Sequence, residues 1–405
     1  MSLTKTARNF RVIVKLVAAV MFLYYVAILA VIPATRDFFL NLLVDRNPPI
    51  PRYGLLDPLV FNPADTKGKP PTIVLDTTNG RLPAGMPRKM TVYTFKGSQY
   101  SYLAGKDAQD DATTLGFSEA ELVSNLKGRT YQWRSLVSGG VLIIDTETRS
   151  ILLGTDLYGK SSEYVPGSID VPSAKTYAVD LLTNLNRYNS TLYKPENFKV
   201  SLGQFSLSTI TQTKVASDAQ VARVDIFGQI DKTPILGPDA TKGIAWLILR
   251  NPTRQKSPYN YPFIEGYFWD LTSDKDASYP IISVQEAWSQ VLAGKGIISS
   301  VTPKNYNPFV QKQPVAMERV LINKIYLAYY ETPAFQRFLQ PIYVFEGNYI
   351  NTGTEGGYIV YYYPAVTAQY TSKVPFTPPA TEDTSQQSSS TSGDNITPTS
   401  PNTGN

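Results

Sequence analysis

Histidine and cysteine are both absent from the 405 residues of this chain. Without imidazole there is no Ser-His-Asp or Cys-His nucleophilic site, because both use it as the base. Zinc sites of the common Cys/His types and haem with histidine or cysteine ligation are excluded too. So are disulfides, although a chain this long buries enough core to do without them. The catalytic chemistry left open is a carboxylate pair, a Ser-Lys dyad or a hard metal on oxygen ligands. Charge is also scarce, at 18% Asp, Glu, Lys and Arg, and no acidic residue occurs before Asp37.

The acid-free start holds the strongest pattern. Lys5, Arg8, Arg11 and Lys15 precede an uncharged run of 18 residues, Leu16 to Pro33. As a helix this run spans roughly 27 Å, close to the hydrocarbon thickness of a bilayer. Lys15 can snorkel to the interface. The flanking cations are those the positive-inside rule places in the cytoplasm. A cleaved signal peptide has a shorter apolar core and a small-x-small site; here the run is longer and ends Ala30-Val31-Ile32-Pro33-Ala34. A buried core helix would show a polar stripe. The expectation is an uncleaved signal anchor: residues 1–11 cytoplasmic, 12–33 a single transmembrane helix, and the bulk extracytoplasmic. The 38 basic and 33 acidic residues become 34 against 33 once the four N-terminal cations are set aside. The ectodomain is therefore nearly neutral and offers no case for nucleic-acid binding.

Residues 34–70 read as a connector. Phe38, Phe39, Leu42 and Leu43 extend the anchor as an amphipathic turn or two, and Pro48, Pro49 and Pro51 force an extended stalk. Residues 376–405, rich in Ser, Thr, Pro, Gln and Asn, have nothing to bury and read as a disordered tail. The ending Ser400-Pro-Asn-Thr-Gly404 resembles the end of a cell-wall sorting signal. The leading leucine, the hydrophobic stretch and the basic tail are missing, so it reads as low complexity.

Between stalk and tail the strand signal dominates. Lys89–Phe95, Tyr131–Ser135, Val141–Thr146, Val221–Gln229, Ile244–Leu249, Phe263–Asp270, Leu321–Tyr330 and Tyr358–Tyr363 are rich in β-branched and aromatic residues. Three helices interrupt them. One covers Asp107–Leu115, with Ala108, Ala112 and Leu115 on one face and Gly116 as a stop. A second follows Ser173, with Ala174, Tyr177, Ala178, Leu181, Leu182 and Leu185 at helical spacing. A third opens with the capping box Ser283-Val-Gln-Glu286, buries Val284, Ala287, Trp288, Val291 and Leu292, and ends at Gly294. The expected fold is α+β, with each helix packed on one face of a mainly antiparallel sheet. The helix-then-strands unit recurs without a fixed period. It divides the ectodomain into modules at 71–165, 166–280 and 281–375.

The last module carries a family likeness. Ile282-Ser-Val-Gln-Glu-Ala-Trp-Ser-Gln-Val-Leu-Ala-Gly-Lys-Gly296 has the form of a helix whose Ala-Trp pair packs on a sheet. Ile322–Tyr330, Leu339–Gly347 and Tyr358–Val366 follow as strands. This resembles the PepSY-like modules of YycH/YycI-type membrane proteins, which are signal-anchored bacterial proteins whose ectodomains regulate a cell-wall sensor kinase. The similarity covers about 85 residues well and 170–366 loosely. It implies a non-enzymatic, extracytoplasmic regulatory role through an envelope protein partner, with the anchor a candidate to pair with that partner's transmembrane helix.

No residue is assigned a catalytic, cofactor-binding or metal-ligating role, and no cofactor is expected. Four groups were weighed. Ser124-Asn-Leu-Lys127 matches S-x-x-K, but S-D-N and K-T-G are absent, and it reads as the solvated end of a short helix. Asp270, Asp274 and Asp276 are spaced like a Ca²⁺ loop but lack its glycine and terminal glutamate, and read as a hairpin turn. Asp225, Asp231 and Glu346 flank strands, and a glycosidase would need two such carboxylates facing one cleft. Tyr326, Tyr329, Tyr330, Tyr361, Tyr362 and Tyr363 belong to 27 tyrosines in the chain and read as strand formers, with an aromatic glycan-binding surface as the alternative. The leading expectation is a single-pass regulatory or scaffold protein of a bacterial envelope. A cell-surface glycan or peptidoglycan binder comes second, and a carboxylate- or Ser-Lys-dependent hydrolase third.

Overall fold

The computed structural model describes residues 15–22, 24–25 and 48–374, apart from 97–102, 127–128, 159–160, 208, 254, 273–276 and 335. The fold is α+β, with mostly antiparallel sheets and few helices. Six of the eight expected strands are present as single strands, and the other two are each split in two: Lys89–Phe95 into Lys89–Thr91 and Tyr93–Thr94, and Val221–Gln229 into Val221–Ile226 and Gly228–Ile230.

The larger sheet has nine strands, every neighbour antiparallel. Its order in space is Thr209–Thr213, Lys199–Ser206, Val221–Ile226, Ala245–Leu249, Phe263–Gly266, Ser150–Gly154, Val141–Asp145, Thr130–Arg134 and Leu122–Leu126. A four-stranded meander, Leu122–Gly154, joins a five-stranded half at their last strands, with Phe263 opposite Gly154 and Gly266 opposite Ile151. The first and second expected modules therefore share one sheet; the boundary at 165/166 separates two halves of a single layer. The physical reason is edge pairing: the last strand of each half covers an edge the other would leave open.

Helices α1 (Ala104–Thr114) and α2 (Val171–Asn184) lie on the same face of this sheet. Ala108 and Ala112 of α1 and Ala174, Ala178, Leu181 and Leu182 of α2 enter one core with Trp133, Leu142, Ile144, Leu153, Val224 and Leu247. Small residues on the helices let them approach the bulky sheet closely. Asp170 caps α2, its Oδ1 accepting the Ser173 N–H at 2.8 Å, so the helix starts three residues before the expected position. Gly116 ends α1 at φ +89°, and a Cβ there would come within 2.7 Å of the Ser257 backbone. A buried ion pair, Arg187 Nη1 to Asp111 at 2.7 Å, ties the exit of α2 to α1.

The smaller sheet runs Gly228–Ile230, Thr233–Leu236, Arg319–Tyr330, Phe338–Asn351, Thr354–Pro364 and Ile297–Pro303. Thr72–Leu75 adds parallel to Arg319–Ile322, and Tyr93–Thr94 adds to Phe338–Leu339. Helix α3 (Val284–Gln290) packs Val284 and Ala287 on this sheet, and Trp288 meets Phe345 at 5.8 Å between ring centroids. Ser283 Oγ accepts the Glu286 N–H at 3.1 Å, the first half of the expected capping box. Gly294, at φ +78°, closes the π-turn Val291–Lys295 that follows.

Residues 48–70 of the expected connector do not form a free stalk. Leu56 is fully buried and bridges Thr371, Tyr53 stacks on Phe338, and Thr66–Lys67 pairs with Val315–Ala316. Pro51 opens a turn, its carbonyl accepting the Gly54 N–H at 3.1 Å, and the interspersed apolar side chains seat the segment against the smaller sheet.

The chain crosses from the larger to the smaller sheet at Phe227, between Val221–Ile226 and Gly228–Ile230. Beside this crossing Tyr267 donates its hydroxyl to the Glu331 carbonyl at 3.3 Å, and Trp269 Nε1–H donates to the Thr332 carbonyl at 3.1 Å. The Glu331 side chain is buried in this seam with no donor on its Oε1. Burial pushes its carboxyl up to about 8.

Candidate functional site

On strands Lys199–Ser206 and Val221–Ile226 the period-two alternation sends Leu202, Ala222 and Val224 into the core beneath the helices. Lys199, Ser201, Arg223 and Asp225 project from the other face and line a cleft. The opposite wall comes from the smaller sheet: Thr302–Lys304 at the end of its edge strand, with Asn348, Tyr349 and Tyr358. Two chambers, of about 720 and 640 Å³, meet across Arg223, Lys242, Tyr306, Pro308 and Lys312. Each falls within the size range of small-molecule sites, roughly 300–1,000 Å³.

The floor is a buried ion pair. Arg223 grips Asp225 with two parallel bonds, Nε to Oδ2 at 2.8 Å and Nη2 to Oδ1 at 2.7 Å. Its guanidinium carbon lies 4.1 Å from the Trp246 ring centroid, and Trp246 stacks on Phe263 at 4.2 Å. Arg223 also donates to the Pro308 carbonyl. That bond anchors the strap 304–314, as do Asn307 Nδ2 on the Ile210 carbonyl at 2.6 Å and Phe309 in the apolar cluster beneath.

Lys312 braces the strap. Its ammonium reaches Asp239 Oδ2 at 2.7 Å and Oδ1 at 2.9 Å, Thr241 Oγ1 at 2.5 Å and Ser300 Oγ at 2.6 Å. Burial pushes the Asp239 carboxyl up, but Lys312 and the Thr241 N–H and hydroxyl outweigh it and hold the carboxyl below its ordinary range. Burial pulls the Lys312 ammonium down, Asp239 opposes this, and Lys242 and Arg223 add to the fall; the net direction is downward. The two directions favour opposite forms of the pair. The geometry decides for the ionised one: both carboxylate oxygens lie at charge-assisted hydrogen-bond distance from a single ammonium. Ser300 and Lys312 thus stand at the distance of a Ser-Lys dyad, but an ammonium held by Asp239 donates and does not take a proton, and Ser300 is 1% exposed. This arrangement positions loops.

Three further cations line the cleft. Lys199, Lys242 and Lys304 make no ion pair among the described residues, although Lys242 lies 5.4 Å from the Trp246 ring centroid. The cleft therefore presents cationic walls above a floor whose own charges are paired.

Among the residues weighed from the sequence, Ser124 lies in the edge strand Leu122–Leu126 and not at a helix end, while Lys127 lies outside the described residues. S-x-x-K needs its serine on a helix, and Ser124 stands in extended backbone. Asp270 pairs with Arg149 at 2.7 Å; Asp274 and Asp276 lie outside the described residues. Asp225 reaches the cleft floor, neutralised by Arg223. Asp231 sits at φ +54° in the turn joining Gly228–Ile230 to Thr233–Leu236, near Tyr93 and Tyr329 and not in the cleft lining. Glu346 accepts from the Tyr326 hydroxyl and lies 3.3 Å from Lys324. Among the described residues, Asp225, Asp231 and Glu346 lie at three separate places and line no common cleft. Tyr329, Tyr330, Tyr361 and Tyr362 are buried, with Tyr330 and Tyr362 donating to the Val60 and Gly237 carbonyls at 3.2 and 3.1 Å. Lys312, Asp239, Thr241 and Lys242 were not singled out from sequence. They come from loops without a motif, and only the packing of the two sheets assembles them.

No family model matches this chain, and no curated protein does. A solved structure of an uncharacterized protein from Eubacterium rectale is similar over 73% of this chain and 88% of its own, at 11% identity and a TM-score of 0.36.

Proposed function

We propose that this chain is a membrane-anchored, extracytoplasmic protein with a regulatory or scaffold role, and that it works by binding a ligand in the cleft between its sheets. The observation that carries this reading is the cleft itself. It is walled by both sheets and strapped by 304–314, so an occupant touches both sheets and the strap at once. Support for the anchor comes from the sequence and from the helical residues 15–22 and 24–25. Leu16, Val17, Val20, Met21, Phe22, Tyr24 and Tyr25 are all more than half exposed, an apolar surface that a bilayer would cover. No helix among the described residues is long and apolar enough to cross a membrane, and half of Leu16–Pro33 lies outside them.

A specific observation favours protein contacts as a second mode. Leu136 and Val137, at one hairpin tip, are 92% and 83% exposed, and Leu207, at another, is 98% exposed. Strand register puts both tips at the same end of the larger sheet. Apolar tips of this kind suit the partner docking expected of a scaffold.

The cysteine-free chain makes the topology test direct. A single cysteine at Ser217 should react with a membrane-impermeant maleimide on intact cells, and one at Ser2 only after lysis; the reverse pattern sinks the anchor. A photo-crosslinking residue at Gln212 or Asn348, both exposed in the cleft, should capture the ligand. Capture only from Leu136 would move the working surface to the hairpin tips.

A further inference from the structure

We infer that the cleft takes an acidic glycan, a sugar or polyol chain bearing carboxylate or phosphate groups; this rests on the cleft being the working site. The charge argument comes first. Asp225 and Asp239, the carboxylates inside the cleft, are consumed by Arg223 and Lys312. Lys199, Lys242 and Lys304 are left without an ion pair among the described residues, against one exposed acid, Asp65, on the smaller chamber. A ligand with spaced negative charges meets three cations and no unpaired carboxylate in the larger chamber.

The lining between those cations decides the rest of the chemistry. Ser201, Gln212, Thr302 and Asn348 offer neutral hydroxyls and amides, the partners that sugar hydroxyls use. An extended acidic peptide would instead be recognised by adding to a strand edge. Both edges that border the cleft are engaged in part. Ile298 on the smaller sheet's edge strand accepts the Ala64 N–H at 2.7 Å, and Pro303 has no N–H to give. On the larger sheet's edge strand, the Ile210 carbonyl takes Asn307. The cleft therefore offers side-chain recognition of hydroxyls and charges and little main-chain pairing.

The test uses the full-length chain in detergent micelles against four immobilised polymers: polygalacturonate, poly(glycerol phosphate), dextran and poly-glutamate. Binding to one or both of the first two, with none to dextran, is expected, and which of them binds tells carboxylate from phosphate. The triple variant Lys199→Gln/Lys242→Gln/Lys304→Gln should weaken that binding about tenfold or more, and the corresponding triple arginine variant should retain it. Lys199 and Lys304 are exposed and Lys242 is half-buried, so an unchanged melting temperature confirms that the fold survives. The inference is overturned if dextran binds as well as the acidic polymers, if poly-glutamate binds as tightly with the same loss in the variant, or if the glutamine variant binds unchanged. A captured ligand at Gln212 or Asn348 with no acidic-polymer binding defeats the ligand class and leaves the cleft as the site. No capture at either position defeats the cleft itself.

Discussion

Replacing Glu331 by glutamine should stabilise the protein, and the gain should grow with pH. Glu331 is 3% exposed and lies in the seam between the sheets, with no donor on Oε1. The groups that sense its charge are the phenols of Tyr193 and Tyr267, and no cation faces it among the causes acting on its carboxyl. Burial alone lifts that carboxyl from its ordinary 4.5 to about 8. Below pH 4.5 the acid is protonated in the folded and unfolded chain alike, and titration costs nothing. Between 4.5 and about 8 the unfolded chain releases its proton while the folded chain keeps it, so stability falls as pH rises. Above about 8 the loss is complete, on the order of 5 kcal/mol, with roughly 3 kcal/mol already lost at pH 7. Glutamine has the same shape and no charge, so the variant escapes this loss. Urea unfolding of both proteins at pH 5, 7 and 9, compared at each pH, cancels the other titrations. The difference should be small at pH 5 and several kcal/mol at pH 9. A difference that is flat with pH, or one that favours the wild type at high pH, would refute the reasoning. It would mean that Glu331 is ionised in the folded protein with a partner that compensates it.

Two further outcomes follow from the same packing. Lys312→Met leaves Asp239 without its counter-ion and releases the strap; a loss of about 2–3 kcal/mol and new proteolytic cleavage within 304–314 are expected, and an uncleaved strap would count against the brace. Gly116→Ala forces a Cβ into a position 2.7 Å from the Ser257 backbone at φ +89°, so thermal unfolding should show a loss of roughly 2–3 kcal/mol; a melting temperature equal to wild type would show that the 255–258 loop moves aside at no cost.

Much of the secondary structure was legible because its signals are local. The Ala and Leu spacing after Asp170, the cap at Ser283 and the stops at Gly116 and Gly294 each act within a turn or two. The alternation in Thr130–Arg134 is equally local: Tyr131 and Trp133 are buried, and Arg134 is exposed. Ser124 misled because S-x-x-K presumes a helix, and the β-branched and amide residues of Leu122–Leu126 pair instead with Thr130–Arg134. Prolines at 48, 49 and 51 predict an extended stalk, but proline content says neither that the chain turns at Pro51 nor whether it stands free or lies on a sheet. Leu56 and Tyr53 settled that through contacts with residues more than 200 positions away.

The sequence by itself determined the chemistry that is impossible here, because an absent imidazole or thiol cannot be supplied by folding. It also determined the α+β class, since periodicity is written into consecutive residues. Only the tertiary structure decided that two expected modules are one sheet, because edge pairing between Ser150–Gly154 and Phe263–Gly266 joins strands over 100 residues apart. Only it brought Lys312 to Asp239 and left Lys199, Lys242 and Lys304 facing one cleft. A charge becomes part of a site through its distance from other charges, and that distance is set by packing.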